Sequence, residues 1–304
     1  MLISVLGIFV ADLAFFAEKI PVEGETVIGN KYVIGPGGKG SNQAVAAAKA
    51  GAKTYFISKI GDDQFGAMAK TIYDQSGVDY SHVIISKEHS TGAAGILVNE
   101  ASGANAINVV PGAAGALTTE DIDAANYAIK NSSIFLTQLE APKEVVFYAL
   151  KKAHQQGVTT ILNPAPAAAI DKDIFPIIDY FTPNETEASF YANHPVESPD
   201  DVKKAANKFL QMGIKNVDFD YVKAHVDNDI ATPIEKMHNV VDKAALNARW
   251  ASQRHAFDPE GVAESPFYGV IMDTTVKPSD AITLREFAYN MAMKGMQARV
   301  AFEG

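Results

Sequence analysis

The stretch Gly35-Pro36-Gly37-Gly38-Lys39-Gly40-Ser41-Asn42-Gln43 runs directly into Ala44-Val45-Ala46-Ala47-Ala48-Lys49-Ala50-Gly51. Four glycines in six residues leave the backbone bare, so a ligand can lie against its N–H groups. Ser41 is a natural N-cap, the alanine run after it reads as a tightly packing helix, and Gly51 is its stop. A glycine loop that feeds a helix N-terminus is suited to an anion or a hydroxyl-bearing ligand.

Two familiar glycine motifs fail here. Gly35, Gly37 and Gly40 satisfy G-x-G-x-x-G, the fingerprint of dinucleotide folds. Pro36 and Lys39 sit inside that turn, however, and the strand that should open the unit lies well upstream. No acidic residue ends the next strand, where the chain reads Tyr55-Phe56-Ile57-Ser58. The P-loop pattern fails too, because Val33 takes its first glycine position and Gly40 follows Lys39.

Composition narrows the function classes. At 304 residues the chain has ample length to bury a core. A net charge of −10, with no basic cluster, argues against a nucleic-acid partner. The absence of cysteine removes disulfide and thiol chemistry, and a cytoplasmic home is the simplest fit. Met1 to Phe16 is apolar enough to imitate a signal peptide, but it has no basic start and Asp12 interrupts it. No apolar run is long enough to span a membrane. Residues 1–217 hold 17 lysines and no arginine, whereas residues 218–304 hold four arginines and five lysines. Chance would put all four arginines in that tail about once in a hundred times, which suggests a different sequence history.

Along the chain, Leu2 to Val10 reads as a buried strand that ends at Asp12. Pro21 to Gly24 is a turn, and Thr26 to Ile34 an exposed strand that delivers the chain to the glycine loop. Lys53 to Ile60 is a second buried strand. Gly61-Asp62-Asp63 then opens a helix from Phe65 to Gln75, closed by Gly77. Val83 to Ile85, Ala94 to Asn99 and Ile107 to Val110 are short strands, the last two joined by a hairpin turn at residues 101–105. Without intervening helices they are expected in a small separate sheet. From residue 120 strands alternate with helices: helices at Asp121–Lys130, Lys143–Gln156, from Glu185 and at Pro199–Met212, strands at Ile134–Leu139, Thr159–Leu162 and Tyr180–Thr182. That rhythm predicts a parallel sheet covered on both faces, with ligands beyond the carboxyl ends of its strands.

The residues placed there are Asp12, Gln138 to Glu140, Asn163-Pro164-Ala165-Pro166 and Thr182-Pro183-Asn184-Glu185-Thr186-Glu187. Each also has a structural reading. Asn184 and Glu187 have capping-box spacing, Glu140 precedes a proline, Asp12 suits a turn, and Lys39 suits a solvated loop. Their convergence with the glycine loop on one rim is what points to a site. The histidines have no metal-ligand spacing.

Five blocks, in order, resemble the ribokinase (PfkB-type) family of sugar kinases. They are Phe9-Val10-Ala11-Asp12, Gly37-Gly38-Lys39-Gly40-Ser41-Asn42-Gln43-Ala44, Thr137-Gln138-Leu139-Glu140, Asn163-Pro164-Ala165-Pro166-Ala167, and Thr182-Pro183-Asn184-Glu185-Thr186-Glu187-Ala188. The resemblance implies a single ribokinase-like α/β domain: a Rossmann-like, mostly parallel sheet with helices on both faces and a small β lid from about residues 10–36 and 90–112. It implies ATP-dependent phosphoryl transfer to a hydroxymethyl group of a pentose such as ribose or a related sugar. ATP with Mg²⁺, a monovalent cation such as K⁺, and dimers through the lid come with it. Asp12, Gly38, Lys39, Asn42 and Glu140 would hold sugar hydroxyls, Asn184 would lie by the nucleotide, and Glu187 by the water shell of Mg²⁺. Val10 stands where ribokinases proper often carry an asparagine.

The tail departs from that pattern. The family's Asp-Thr-Thr-Gly-Ala-Gly-Asp is replaced by Asp273-Thr274-Thr275-Val276-Lys277-Pro278-Ser279-Asp280. Asp273 matches a residue near the monovalent cation, and Asp280 is the nearest candidate base, one residue late. The glycines whose N–H groups would face the transferring phosphoryl are gone, and Pro278 has no N–H. The family would also supply helices beyond Gly304. Two readings stay open: a sugar kinase with an unusual tail, or a catalytically impaired sugar-binding protein of kinase ancestry.

Overall fold

The computed structural model describes residues 2–217. In chain order it begins with β1 (Leu2–Leu6), β2 (Val10–Ala17), β3 (Lys31–Gly37), α1 (Lys39–Lys49), β4 (Lys53–Gly61), α2 (Gln64–Ser76), β5 (Val78–Ser86), β6 (Thr91–Asn99) and β7 (Asn105–Gly112). There follow α3 (Thr119–Ala124), α4 (Asn126–Asn131), β8 (Ile134–Thr137), α5 (Lys143–Gln155), β9 (Thr159–Leu162), β10 (Tyr180–Phe181), α6 (Glu185–Ala192), α7 (Pro199–Gln211) and β11 (Asn216–Val217).

Seven strands form one parallel sheet in the order β11-β10-β9-β8-β1-β4-β5. Their short apolar runs suit strands buried on both faces. Neighbouring residues go to opposite cores: Val5, Phe56 and Leu136 pack with Ala44, Ala47 and Tyr73 of α1 and α2, while Leu6, Ile57 and Phe135 pack with Val146 and Leu150 of α5 and Phe209 of α7. Ala44 and Ala47 are fully buried, so the small side chains bring α1 close against the sheet. The expected α/β layering is observed.

The second sheet has the order β3-β2-β6-β7. Its register puts Leu13, Phe15, Tyr32, Ile34 and Val110 on one face and Asp12, Ala94 and Ile96 on the other. Ala94 and Ile96 are buried in the main core, whereas Phe15, Tyr32, Ile34 and Val110 are exposed.

Five expectations are corrected. The first strand stops at Leu6 and Asp12 lies inside β2 of the second sheet, because the α1 N-terminus sits where β1 would continue: a Cβ on Gly7 would lie 2.7 Å from the Gly40 Cα. The strand expected at Thr26–Ile34 is β3, which runs from Lys31 through Pro36 to Gly37 because its partner β2 offers register only there. Pro36, lacking an N–H, is tolerated because β3 is an edge strand. Ser41 is not the N-cap: α1 starts at Lys39 after Gly38, whose φ of 91° already breaks the chain. Residues Val83–Ile85 belong to β5 in the main sheet, since α2 is the crossover that carries β4 to a parallel neighbour. The helix expected at Asp121–Lys130 is two, α3 and α4, divided at Ala125.

Candidate functional site

The glycine loop is half strand and half turn. Gly38 is held at positive φ, and a Cβ there would lie 2.4 Å from the Ile8 carbonyl oxygen, so only glycine fits. On its strand side, Asp12 pairs with Gly35 and lies diagonally beside Gly37 on the same face. A Cβ on Gly37 would come within 2.4 Å of the Asp12 carboxylate, which therefore rests directly over the bare turn.

On its helix side, α1 has no side-chain cap and no acidic residue in its first turn. Its free amides find partners elsewhere in the fold. The Ser41 N–H donates to the Ile8 carbonyl over 3.2 Å. The Lys39 N–H donates to the Glu140 carboxylate over 2.8 Å, so a residue just past β8 supplies the negative charge that a helix N-terminus favours. Asn42 is half-buried on the same first turn. Asp12, Gly38, Lys39, Asn42 and Glu140 are thus gathered around one turn.

Asn184 and Glu187 form a complete capping box on α6. Asn184 Oδ1 accepts from the Glu187 N–H over 2.8 Å, and Glu187 Oε2 accepts from the Asn184 N–H over 2.9 Å. Glu187 is nevertheless unusual for a capping acid because it is buried, at 5% exposure. Burial pushes its carboxyl above the ordinary range, against the pull of the Asn184 N–H and of the Lys39 ammonium. The Glu185 carboxylate pushes in the same direction as burial. The field of Lys39 at Glu187 joins this turn to the glycine loop. Asp273 and Asp280 lie outside the described residues.

Gly7 and Gln43 carried no role in the sequence reading. Gly7 could have been found only by knowing that α1 docks against the end of β1. The signal for Gln43 was its spacing, one helical turn after Lys39, on an otherwise apolar buried run. Among the described residues no group of three or more His, Cys, Asp or Glu gathers as a metal cluster, and no helix is long and apolar enough to cross a membrane.

With this geometry in view, comparison with known proteins is specific. The pfkB family carbohydrate kinase model matches residues 1–219. A deoxyribokinase from Salmonella typhi is 36% identical over 216 residues, covering 71% of this chain and 70% of its own. A ribokinase from Haemophilus influenzae is 39% identical over 215 residues, with 71% and 70% coverage. Among solved structures, Arabidopsis thaliana ribokinase complexed with ribose and ATP superposes with a TM-score of 0.67 at 30% identity, covering 72% of each chain.

Proposed function

Because this chain belongs to the pfkB family of carbohydrate kinases, we propose that it transfers the terminal phosphoryl group of ATP to a hydroxymethyl group of a pentose such as ribose. One observation carries the reading most directly: a glycine turn crossed by the Asp12 carboxylate on one side and clamped by Glu140 on the other. Carboxylates, an amide and a closely approachable glycine backbone at one rim suit a polyol, whose hydroxyls both donate and accept. Asp12, Gly38, Lys39, Asn42 and Glu140 hold the sugar in this reading, and Asn184 faces the nucleotide phosphates.

Phosphoryl transfer is mostly positioning and charge neutralisation. The Lys39 ammonium, felt at Glu187, supplies fixed positive charge on the phosphate side. The carboxylates of that turn suit Mg²⁺, which binds proteins through one or two carboxylates and keeps most of its waters. The Glu185 carboxylate adds to the cost of ionising Glu187, which a nearby cation relieves. Glu187 would hold the metal through water, and Mg²⁺ would neutralise charge on the phosphates. Asp280 as base and Asp273 beside K⁺ complete the proposal outside the described residues. The second sheet is the lid over the sugar, and its exposed apolar face supports homodimers.

A second reading, sugar binding without transfer, is favoured by Pro278 and the missing glycines of residues 276–279. The deciding experiment measures ATP consumption by the full chain against a panel of pentoses and hexoses. Sugar-dependent turnover supports the kinase. Sugar binding with no turnover selects the second reading, and no binding of any sugar sinks both.

A further inference from the structure

The N-terminal part of α1 and the chain leaving β8 are joined twice. Glu140 accepts from the Lys39 N–H, and two residues earlier the Gln138 side-chain amide donates to Gln43 Oε1. From there Gln43 Nε2 donates to Asn163 Oδ1 over 3.4 Å, and Asn163 Nδ2 donates to the Thr182 carbonyl over 2.9 Å. All four residues are buried. They cross the carboxyl edges of β8, β9 and β10 in succession. One end touches the turn proposed to hold sugar, and the other reaches Thr182-Pro183-Asn184, which opens the turn proposed for phosphate.

The series has a direction. A carbonyl oxygen only accepts, so Thr182 orients the Asn163 amide, Asn163 orients Gln43, and Gln43 orients Gln138. What is left over is Gln138 Oε1, a buried acceptor without a partner among the described residues. It is lodged between Gly7 and Gly40, where a Cβ on either would come within 2.8 Å of it. Both glycines are therefore needed for the amide to sit there. Breaking any link leaves a buried donor or acceptor unpaired, so the chain is kept or lost as a unit.

We infer that Gln43 and Asn163 are positioning residues whose amide relay sets the separation between the sugar-holding turn of α1 and the phosphate-side turn at Asn184. The inference rests on the sugar-kinase reading above. Neither residue needs to touch a ligand. Each half of the site keeps its own contacts when the relay is cut, so sugar binding survives. The in-line distance for transfer does not, and a misplacement of about 1 Å costs about 10²-fold in rate.

The test compares the native full chain with Gln43→Met, which keeps length and volume but neither hydrogen bond. Ribose, or whichever sugar of a pentose–hexose panel the native chain takes, is the probe. The expected result is a kcat at least about tenfold lower with the calorimetric sugar Kd within about twofold of native. Gln43→Glu is the second variant and decides the matter if Gln43→Met does not fold. A protonated carboxyl donates and accepts like the amide, whereas the ionised form only accepts and loses Asn163. Its kcat should therefore fall as pH rises, in a limb the native chain lacks, with thermal melts showing both proteins folded throughout. A structural role alone would lower the melting temperature without that limb.

If the native chain binds sugar without turnover, amide hydrogen exchange replaces kcat. Sugar should then slow exchange at residues 182–187 in the native chain and not in Gln43→Met. Native-like kcat in Gln43→Met, parallel losses of kcat and affinity, a Gln43→Glu profile without the limb, or equal protection in both proteins overturns the relay while leaving the kinase reading intact. A native chain that neither binds nor phosphorylates any sugar overturns both.

Discussion

The backbone N–H of Lys39 and the carboxylate of Glu140, 101 positions apart in the chain, meet at 2.8 Å. That bond satisfies the first free amide of α1 and simultaneously ties the glycine turn to the end of β8. Glu140→Ala leaves a half-buried donor unpaired and should cost about 1–3 kcal/mol of stability, together with a weaker sugar affinity. Glu140→Gln keeps an acceptor oxygen and should lose less of both. Denaturant unfolding and calorimetry with ribose check the pair; equal stability in Glu140→Ala would mean the bond is not made.

Asp12→Ala should weaken pentose binding by about 1–3 kcal/mol through lost hydrogen bonds. Gly37→Ala offers an independent route to the same site. Its Cβ would meet the Asp12 carboxylate at 2.4 Å, and the side chain, being the movable partner, should swing away. Gly37→Ala should therefore imitate Asp12→Ala in sugar affinity, and the double variant should be no weaker than either single one. Additive losses in calorimetry would show that Asp12 and Gly37 act separately.

Glu187 gives a pH prediction with a definite sign. Its folded value lies above the ordinary 4.5, so the folded state holds the proton more tightly than the unfolded chain. This group's contribution to stability is thus most favourable below 4.5 and is lost as pH rises through the raised value. Glutamine can still close the capping box without ionising. The melting temperature of Glu187→Gln relative to native should accordingly be higher at pH 7 than at pH 4. A relative melting temperature that is unchanged or falls across that range would contradict the burial penalty. In the kinase assay the same variant should need more Mg²⁺, whereas a pure cap predicts no change.

Asp280, though beyond the described residues, yields a sequence-based prediction. If it is the base, Asp280→Asn should lose the contribution of general-base catalysis, about 10²–10⁴-fold. Turnover in the parent should already be low, because losing anion-hole donors costs about 10²–10³-fold. Replacing residues 276–280 by Gly-Ala-Gly-Asp should raise it. Undiminished turnover in Asp280→Asn would place the base elsewhere.

The parts of this molecule that were legible in the sequence are those governed by local chemistry. Continuous apolar runs identified the core strands, and Asp63 and Gly77 marked both ends of α2, where Asp63 accepts from the Gly66 N–H and Gly77 turns left-handed. Gln138, Asn163 and Thr182 were legible as strand-end positions because each directly follows an apolar strand of the parallel sheet. What was not legible depended on contacts distant in sequence. Nothing near Leu6 announces that Gly40 will block the strand, and nothing near Asp12 says that it will hang from a second sheet over Gly37. Ser41 looked like a cap by residue type, yet its hydroxyl accepts from Tyr73 at 3.0 Å, a partner 32 positions away. The cap was made instead by the backbone of Gly38, which residue type alone did not distinguish from its neighbouring glycines.

Both rims of the four-stranded sheet end in a proline, Pro36 on β3 and Pro111 on β7. An incoming strand seeks an unbroken ladder of donors, and at each border one rung is missing. Sideways growth into a longer, shared sheet is thereby discouraged at either border. The proposed pairing of two copies is thereby steered to the broad face that exposes Phe15, Tyr32, Ile34 and Val110. Such a contact comes apart without unzipping backbone, so self-association and the integrity of the sheet are separate matters.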